Sequence, residues 1–477
     1  MPGAYYKPQA GDQPPQFQDL FDTQNISLAA DMGLQNGSWN INWFANRAAN
    51  HFLYWDSRFQ KTRRKENNEI WDTGVTAAYI REFADLSKLI VNGHVYCGDK
   101  NIPKSGYSEQ YDKLSDIASR ENVMFEMPRA FHDTLAMEAS LSHLMQRQDM
   151  SGGSAVTAAH GITGVNRWTW YPADRLALRA AADYRYSFVE TRAFHDRHEG
   201  GVSLGLEWSP RRDFTLVPSI KAAFQNSGEP ALVPKLGLLW KPAQSLEIRN
   251  NYFRSYKIPD MVDLYWQGSG EWGNPGLKSE DGWGEDFGAS WNHTTQRNWR
   301  ISLDGNGYAQ WYDNSIHWYN GRPRNVGGAF FYGADAGAAL SLPLERGPFQ
   351  NLKLSLSYQY MMSYLLAYGF TFASDKRIPY MPIHRPGFRT ELAWKTGFAA
   401  LSGFYEAERV AEDFITVLDP YFFLSLNINQ RIGERFTVYA VMRNLLNFQY
   451  QSFKDYPMPG FTLTLGARIH LMLTGEE

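Results

Sequence analysis

Among its 477 residues the sequence has a single cysteine, Cys97, so neither an internal disulfide nor a cysteine-built metal site can form. Alone, Cys97 reads as a small buried or lipid-facing residue. Charge of either sign is scarcely in excess: 47 Lys and Arg against 50 Asp and Glu give a formal net charge of -3. That balance offers no footing for a nucleic-acid partner or an electrostatically steered acidic substrate. No run of about 18 apolar residues occurs, which excludes a transmembrane helix and leaves membrane-spanning strands open. A 3.6-residue periodicity is not sustained anywhere. The opening MPGAYYKPQAGDQPPQ has no basic stretch followed by an apolar one, so no secretory signal is expected there. The chain also lacks a G-x-S-x-G elbow, an H-E-x-x-H pair, a P-loop and a glycine fingerprint opening a helix. The expectation is therefore no enzyme, no cofactor and no resident metal.

What is present is aromatic residues, glycines and alternation. Aromatics make up 15% of the chain and glycines number 40, a balance that favours sheet. In LKLSLSYQY, Leu352, Leu354, Leu356, Tyr358 and Tyr360 share one face, and Lys353, Ser355, Ser357 and Gln359 the other. The last segment repeats this, with Leu463, Leu465, Ile469 and Leu471 opposite Thr464, Arg468 and His470. Some connections are short. Three of them share a phrase, in WYPADRLAL from Trp170, WSPRRDFTL from Trp208 and WKPAQSLEI from Trp240. Proline suits a tight turn, and a tryptophan just before it suits a membrane interface, so these three are expected to form a girdle at the short-turn rim. Other connections are long, at 47–68, 98–122, 254–285, 312–330, 361–385 and 447–459. Strands with one lipid-facing and one wet face also keep mean hydropathy low, at -0.46. The pattern predicts an all-β chain: a large antiparallel transmembrane β-barrel of about 20–22 strands with short periplasmic turns and long extracellular loops.

Within this pattern, YKIPDMVDLYWQGSGEWGNPGLKSEDGWGEDFG carries Tyr256, Pro259, Leu264, Tyr265, Gly273, Asn274, Pro275, Leu277, Glu280 and Gly288 in a recognisable order. NLLNFQYQSFKDYPMPG carries Asn444, Leu445, Leu446, Asn447, Tyr450, Tyr456, Pro457, Pro459 and Gly460, and IPYMPIHRPG is a third match. Together they resemble the barrel of TonB-dependent outer-membrane receptors, with Lys257 where Arg is usual. The resemblance implies an outer-membrane location in a diderm bacterium and uptake of a scarce metal chelate, such as a ferric siderophore or a cobalamin-like ligand. It further implies a monomer surrounded by outer-membrane lipid and lipopolysaccharide. Signal peptide, TonB box and plug have no counterpart in the sequence. The expectation is an irregular segment over 1–24 and a barrel over 25–477, with TonB engaged only through a plug this chain does not carry. Phe461 replaces an Arg, and LTGEE a terminal aromatic.

The loop aromatics Trp266, Trp272, Trp311, Tyr312, Trp318, Tyr319, Tyr368 and Phe370 are the candidate stacking platform for a rigid planar ligand; taken singly, each better suits a girdle or loop packing. His195 to His198, HDRH, and the basic run KTRRKENNE read as solvated loops, with Arg63, Arg64 and Lys65 available to lipopolysaccharide phosphates. The alternatives are an outer-membrane hydrolase, for which His143, His384 and His470 are the candidate histidines, and a passive porin-like channel.

Overall fold

The computed structural model describes residues 23–469, apart from 57–60, 104–110, 151–154, 192, 227, 269–270, 320, 346 and 366–376. Twenty-one long strands form one antiparallel sheet, each paired with the next in the chain. They are β1 (Thr23–Leu34), β2 (Gly37–Ala48), β3 (Ile70–Glu82), β4 (Lys88–Pro103), β5 (Tyr111–Met127), β6 (Leu135–Met150) and β7 (Ala155–Ala173). Next come β8 (Leu176–Glu190), β9 (Phe194–Arg211), β10 (Phe214–Gln225), β11 (Ala231–Ala243), β12 (Leu246–Lys257), β13 (Glu280–Thr294) and β14 (Arg300–Asp313). The last seven are β15 (Ala329–Pro343), β16 (Phe349–Leu365), β17 (His384–Trp394), β18 (Gly397–Glu406), β19 (Tyr421–Ile432), β20 (Phe436–Arg443) and β21 (Thr462–Ile469). The only α-helix among the described residues is one short turn, α1 (Met261–Tyr265), and no helix there is long and apolar enough to cross a membrane.

Odd-numbered strands hand over to the next at one rim, through connections of two to seven residues, and even-numbered strands at the other, where the connections range from three residues (191–193) to 22 (258–279). The alternation fixes the two faces. Leu352, Leu354 and Leu356 lie in register with Leu392, Thr390 and Phe388 on the outer wall, where Leu356 is 64% exposed. Lys353 lies opposite Glu391 on the inner wall and pairs with it at 3.3 Å, and Arg389 holds the same carboxylate at 2.7 Å. On β21, Leu463 and Leu465 face out, and inward-facing Arg468 sits over the Tyr439 ring at 5.5 Å. Leu471 and His470 lie outside the described residues. The expected orientation of each described residue therefore holds.

Trp170, Trp208 and Trp240 each sit four residues before a two-residue turn, which opens at Asp174, Arg212 and Gln244 respectively. They share one offset from the short-turn rim, and the Trp240 indole N–H donates to Asp213 in the adjacent turn at 3.3 Å. Strands rise about 3.3 Å per residue and tilt about 40° in such barrels, so an apolar band of about 25 Å takes about ten residues. His160 lies ten residues above Trp170 and His198 ten above Trp208, both on the outer wall.

One loop expectation fails. Residues 98–122 are mostly strand, since β4 runs to Pro103 and β5 starts at Tyr111. Likewise β16 continues to Leu365. Residues 99–101 and 112–113 are polar on both faces, and Met361, Met362, Tyr364 and Leu365 are apolar on both, so in each stretch the alternation that marks a strand in sequence fades. At the other extreme, β1 and β21 each have one partner among the described residues. With an odd number of alternating strands they run in the same direction, so they cannot pair antiparallel with each other. The expected irregular segment over 1–24 overlaps β1 at its end, and 1–22 lie outside the described residues.

Candidate functional site at the long-loop rim

The long connections are built structures. In 258–279, α1 and a two-residue hairpin, Gln267–Gly268 with Glu271–Trp272, fold against the hairpin Ile316–Tyr319 with Arg322–Asn325 of the 314–328 connection. The Trp272 amide donates to the Gly321 carbonyl at 2.9 Å, the Asn274 side chain to the Pro323 carbonyl at 3.1 Å, and the Lys278 amide to Asn325 Oδ1 at 2.8 Å. Glu280 accepts the Ile316 amide at 2.7 Å. Burial pushes the neighbouring His317 imidazole below its ordinary pKa, against the opposing pull of Glu280.

This is where the phrase Tyr256 to Gly288 goes, and its residues shape the loop. Pro259 presents its carbonyl to the buried Arg197 of β9 at 2.6 Å, Leu264 is buried, and Tyr265 stacks on His195 with ring centroids 3.8 Å apart. A Cβ on Gly273 would meet the Leu264 carbonyl oxygen at 2.5 Å, so only glycine permits that approach. Asn274 closes an Asx turn over Pro275 by accepting the Gly276 amide, and the Leu277 amide bonds back to Asn274. The Tyr256 hydroxyl donates to the Glu229 carbonyl. In the second phrase, Asn444 is buried in the left-handed conformation at φ 50°, donates to the Phe448 and Pro459 carbonyls and accepts the Phe448 amide. The Leu445 amide bonds the Leu424 carbonyl, and Gly460 leaves room for Asn447 Oδ1.

The expected aromatic platform is only partly assembled. Trp266, Trp272 and Trp318 meet in the paired loops: the Gly273 amide bonds the Trp266 carbonyl, and the Trp318 indole N–H donates to Asp263 at 2.8 Å. Trp272 is half exposed. Trp311 and Tyr312 are neighbours on β14 and so point to opposite faces. Trp311 lies on the outer wall in register with Trp283, and Tyr312 points inward against Phe331. Trp311 therefore belongs to the lipid-facing aromatics, because strand alternation overrides nearness in sequence. The Tyr319 side chain, Tyr368 and Phe370 lie outside the described residues.

Sequence reasoning missed a second cluster, where β17, β18 and β19 reach the same rim. Phe404 and Phe423 face each other across the inner wall, stacked at 5.4 Å, and Tyr421 stacks on Tyr450 at 4.4 Å. The Arg385 guanidinium lies over the Phe404 ring at 4.8 Å and 3.6 Å from Glu406, with its side chain half exposed. Beneath it Arg409 is buried: it pairs with Glu406 at 3.0 Å, donates to the Gln451 and Ser452 carbonyls and covers the Tyr421 ring. The signal was available in the shared parity of Phe404 with Glu406 and of Tyr421 with Phe423. An accessible guanidinium on an aromatic wall can hold an anionic or π-rich ligand by charge-assisted hydrogen bonds and stacking.

Behind this cluster, Val326, Ala329, Leu365, Ile378, Val410 and Phe414 form a buried core shared by three connections and the ends of β15 and β16. The Lys454 ammonium donates to Asp413 at 2.8 Å. Burial opposes the charged form of Asp413, but Lys454 and the Thr416 and Ile415 donors outweigh it and hold the carboxyl well below the usual carboxylate range.

Three further expectations change. Lys65 is buried and its pKa is lowered by that burial, and Arg63 pairs with the buried Asp56 at 3.2 Å, so the basic run is no open patch; of the three, Arg64 alone is exposed. HDRH lies in β9, its residues alternating between walls: His195 faces in, and His198 faces out against Tyr184. His143 bonds Glu121 at 2.8 Å and His384 bonds Tyr358 at 2.9 Å. No serine hydroxyl bonds either ring among the described residues, so the pairing a serine hydrolase needs is not formed there. No group of three or more possible metal ligands occurs among the described residues.

The family model described as "TonB dependent receptor-like, beta-barrel" matches residues 2–445. The chain belongs to the TonB-dependent receptor β-barrel family. A comparison with curated proteins finds no match. Solved structures of similar fold include the copper transporter OprC, at 14% identity and TM-score 0.74, covering 96% of this chain and 82% of that one. They also include the ferric-catecholate import receptor Fiu of E. coli K12, at 12% identity and TM-score 0.72, covering 94% and 80%. The siderophore receptor PirA of Pseudomonas aeruginosa matches at 11% identity and TM-score 0.66, covering 94% and 76%. At these identities the likeness shows the fold of the family and leaves the ligand to this chain's own residues.

Proposed function

We propose that this TonB-dependent receptor barrel sits in the outer membrane of a diderm bacterium and takes up a scarce metal chelate. Its long-loop rim would face outward and its short turns the periplasm. The observation that carries the reading is Arg385, half exposed over Phe404 on the inner wall beside Phe423, Tyr421 and Tyr450. A ligand with aromatic chelating arms and net negative charge satisfies both the rings and the guanidinium. The likeness to a ferric-catecholate import receptor, a siderophore receptor and a copper transporter supports this ligand class. Transport would draw on TonB through a plug domain of the kind the family uses, with lipopolysaccharide as the surrounding lipid.

The test is tryptophan-fluorescence quenching of the folded barrel by a panel of ferric catecholates, ferric hydroxamates and cobalamin. One class should quench saturably, and Arg385→Ala should weaken it about tenfold, the size of one charge-assisted bond. Saturable binding that is indifferent to Arg385 would move the site elsewhere, and no binding of any chelate would reject the reading.

A further inference from the structure

Glu406 is a buried carboxylate shared by two arginines of unequal freedom. Its Oε1 takes the Arg409 guanidinium at 3.0 Å, and Arg409 is held further by the Gln451 and Ser452 carbonyls and by the Tyr421 ring. Its Oε2 lies 3.6 Å from the Nε of Arg385, an ion pair too long to be a hydrogen bond. Arg385 is half exposed and lies over the Phe404 ring, and its guanidinium makes no hydrogen bond among the described residues. The other arginine–carboxylate pairs on the inner wall of the described strands are Arg167 with Glu138, Arg179 with Glu207, Arg197 with Glu199 and Arg389 with Glu391. All of them close to hydrogen-bond distance. The pair of Arg385 and Glu406 is the loose one, and it stands where the aromatic wall meets the rim.

We propose that Glu406 is an internal competitor for the Arg385 guanidinium, a specificity-determining residue that keeps the hold on an anionic ligand exchangeable. The inference rests on the reading of Arg385 as the ligand's anchor. An anion reaching Arg385 draws the guanidinium away from Glu406, and the carboxylate left behind stays compensated by Arg409, so the exchange strands no buried charge. The same carboxylate repels the bound anion and offers the guanidinium a partner to return to, so it weakens the hold more as the ligand's negative charge grows. A neutral chelate, held by stacking on Phe404 and Phe423, does not contest the pair. Glu406 thus lowers the affinity for anionic ligands and speeds their release. A transport site is served by this, because its ligand must bind well enough to enter and loosely enough to leave.

The test is stopped-flow tryptophan fluorescence of the folded barrel with an anionic ferric catecholate and a neutral ferric hydroxamate, in the unaltered chain, Glu406→Gln, Arg385→Ala and the double variant. Glu406→Gln should bind the catecholate about tenfold more tightly, chiefly through slower dissociation, and leave any hydroxamate binding within about twofold. The gain should vanish when Arg385→Ala is added. A purely structural part for Glu406, tying down Arg409 and its loops, has the opposite sign: weaker binding of the catecholate that persists without Arg385. That result, or catecholate affinity unchanged in Glu406→Gln, overturns the proposal and leaves the site at Arg385 standing. Catecholate binding that is absent from the unaltered chain, or indifferent to Arg385, overturns both readings. If Glu406→Gln fails to fold by heat-modifiable mobility, Glu406→Asp takes its place: it keeps the charge beside Arg409 with a shorter reach to Arg385, and should give a gain of the same sign, about threefold.

Discussion

Arg409 is the residue whose loss should separate the rim from the barrel beneath it. It is 4% exposed and makes the 3.0 Å pair with Glu406, two hydrogen bonds to the 444–461 connection and the contact over Tyr421. Arg409→Met keeps much of the volume but leaves two carbonyls short of donors and a buried carboxylate short of its nearer cation. Breaking a buried pair costs about 3–5 kcal/mol, and Arg385 at 3.6 Å from Glu406 recovers part of that, so about 3 kcal/mol is expected. That loss falls on local opening of 407–420 and 444–461, because the strand ladder below is untouched. Amide exchange there should accelerate about a hundredfold while β18 and β19 stay protected and heat-modifiable mobility is unchanged. Arg409→Lys should recover less than half of the loss, since an ammonium cannot serve both carbonyls and the carboxylate in one plane. Unchanged loop protection in Arg409→Met would refute the claim that this guanidinium ties the two connections. Loss of protection throughout the barrel would refute its local character.

Two further outcomes follow from the rim. Gly273→Ala should cost about 1–3 kcal/mol through its contact with the Leu264 backbone and detach 258–279 from 314–328; a red shift of emission from Trp266, Trp272 and Trp318 in a still-folded barrel checks this. The Asp413 and Lys454 pair has a depressed acid and a raised base. Its contribution is therefore constant across neutral pH, fades only as pH falls below the ordinary carboxylate range or rises above the ordinary lysine range, and stays within about 1 kcal/mol because both groups are partly exposed. Protease sensitivity of 407–420 should thus be flat between pH 5 and pH 9, approximately, and Lys454→Met should raise it modestly at neutral pH.

The barrel was legible because lipid on one side and water on the other force a two-residue period, seen plainly in Leu352 to Tyr360 and Thr462 to Ile469. It ceased to be legible where the alternation stops: Asp99 to Asn101 and Asp112 to Lys113 are polar on both faces and read as loop. The site was harder still. Trp266, Trp272 and Trp318 were visible as loop aromatics, but Trp311 belongs to the outer wall, a distinction that depends on the phase of β14. Arg385, Arg409, Phe404 and Tyr450 come from four separate segments and meet only through register and loop packing. The motif residues Pro259, Gly273, Asn274 and Asn444 stood out in the sequence, and in the structure each shapes backbone.

Energy-dependent uptake tests the central proposal most directly. Cells carrying this receptor in the outer membrane together with a plug domain of the kind the family uses, and with TonB intact, would be supplied with radiolabelled metal bound to the chelate class that quenches fluorescence. The account predicts accumulation above background that stops when the proton gradient is collapsed and falls about tenfold in Arg385→Ala, one charge-assisted bond at the site. Accumulation unaffected by either perturbation, or none of any metal chelate by folded, surface-exposed receptor with its coupling partner present, would contradict it.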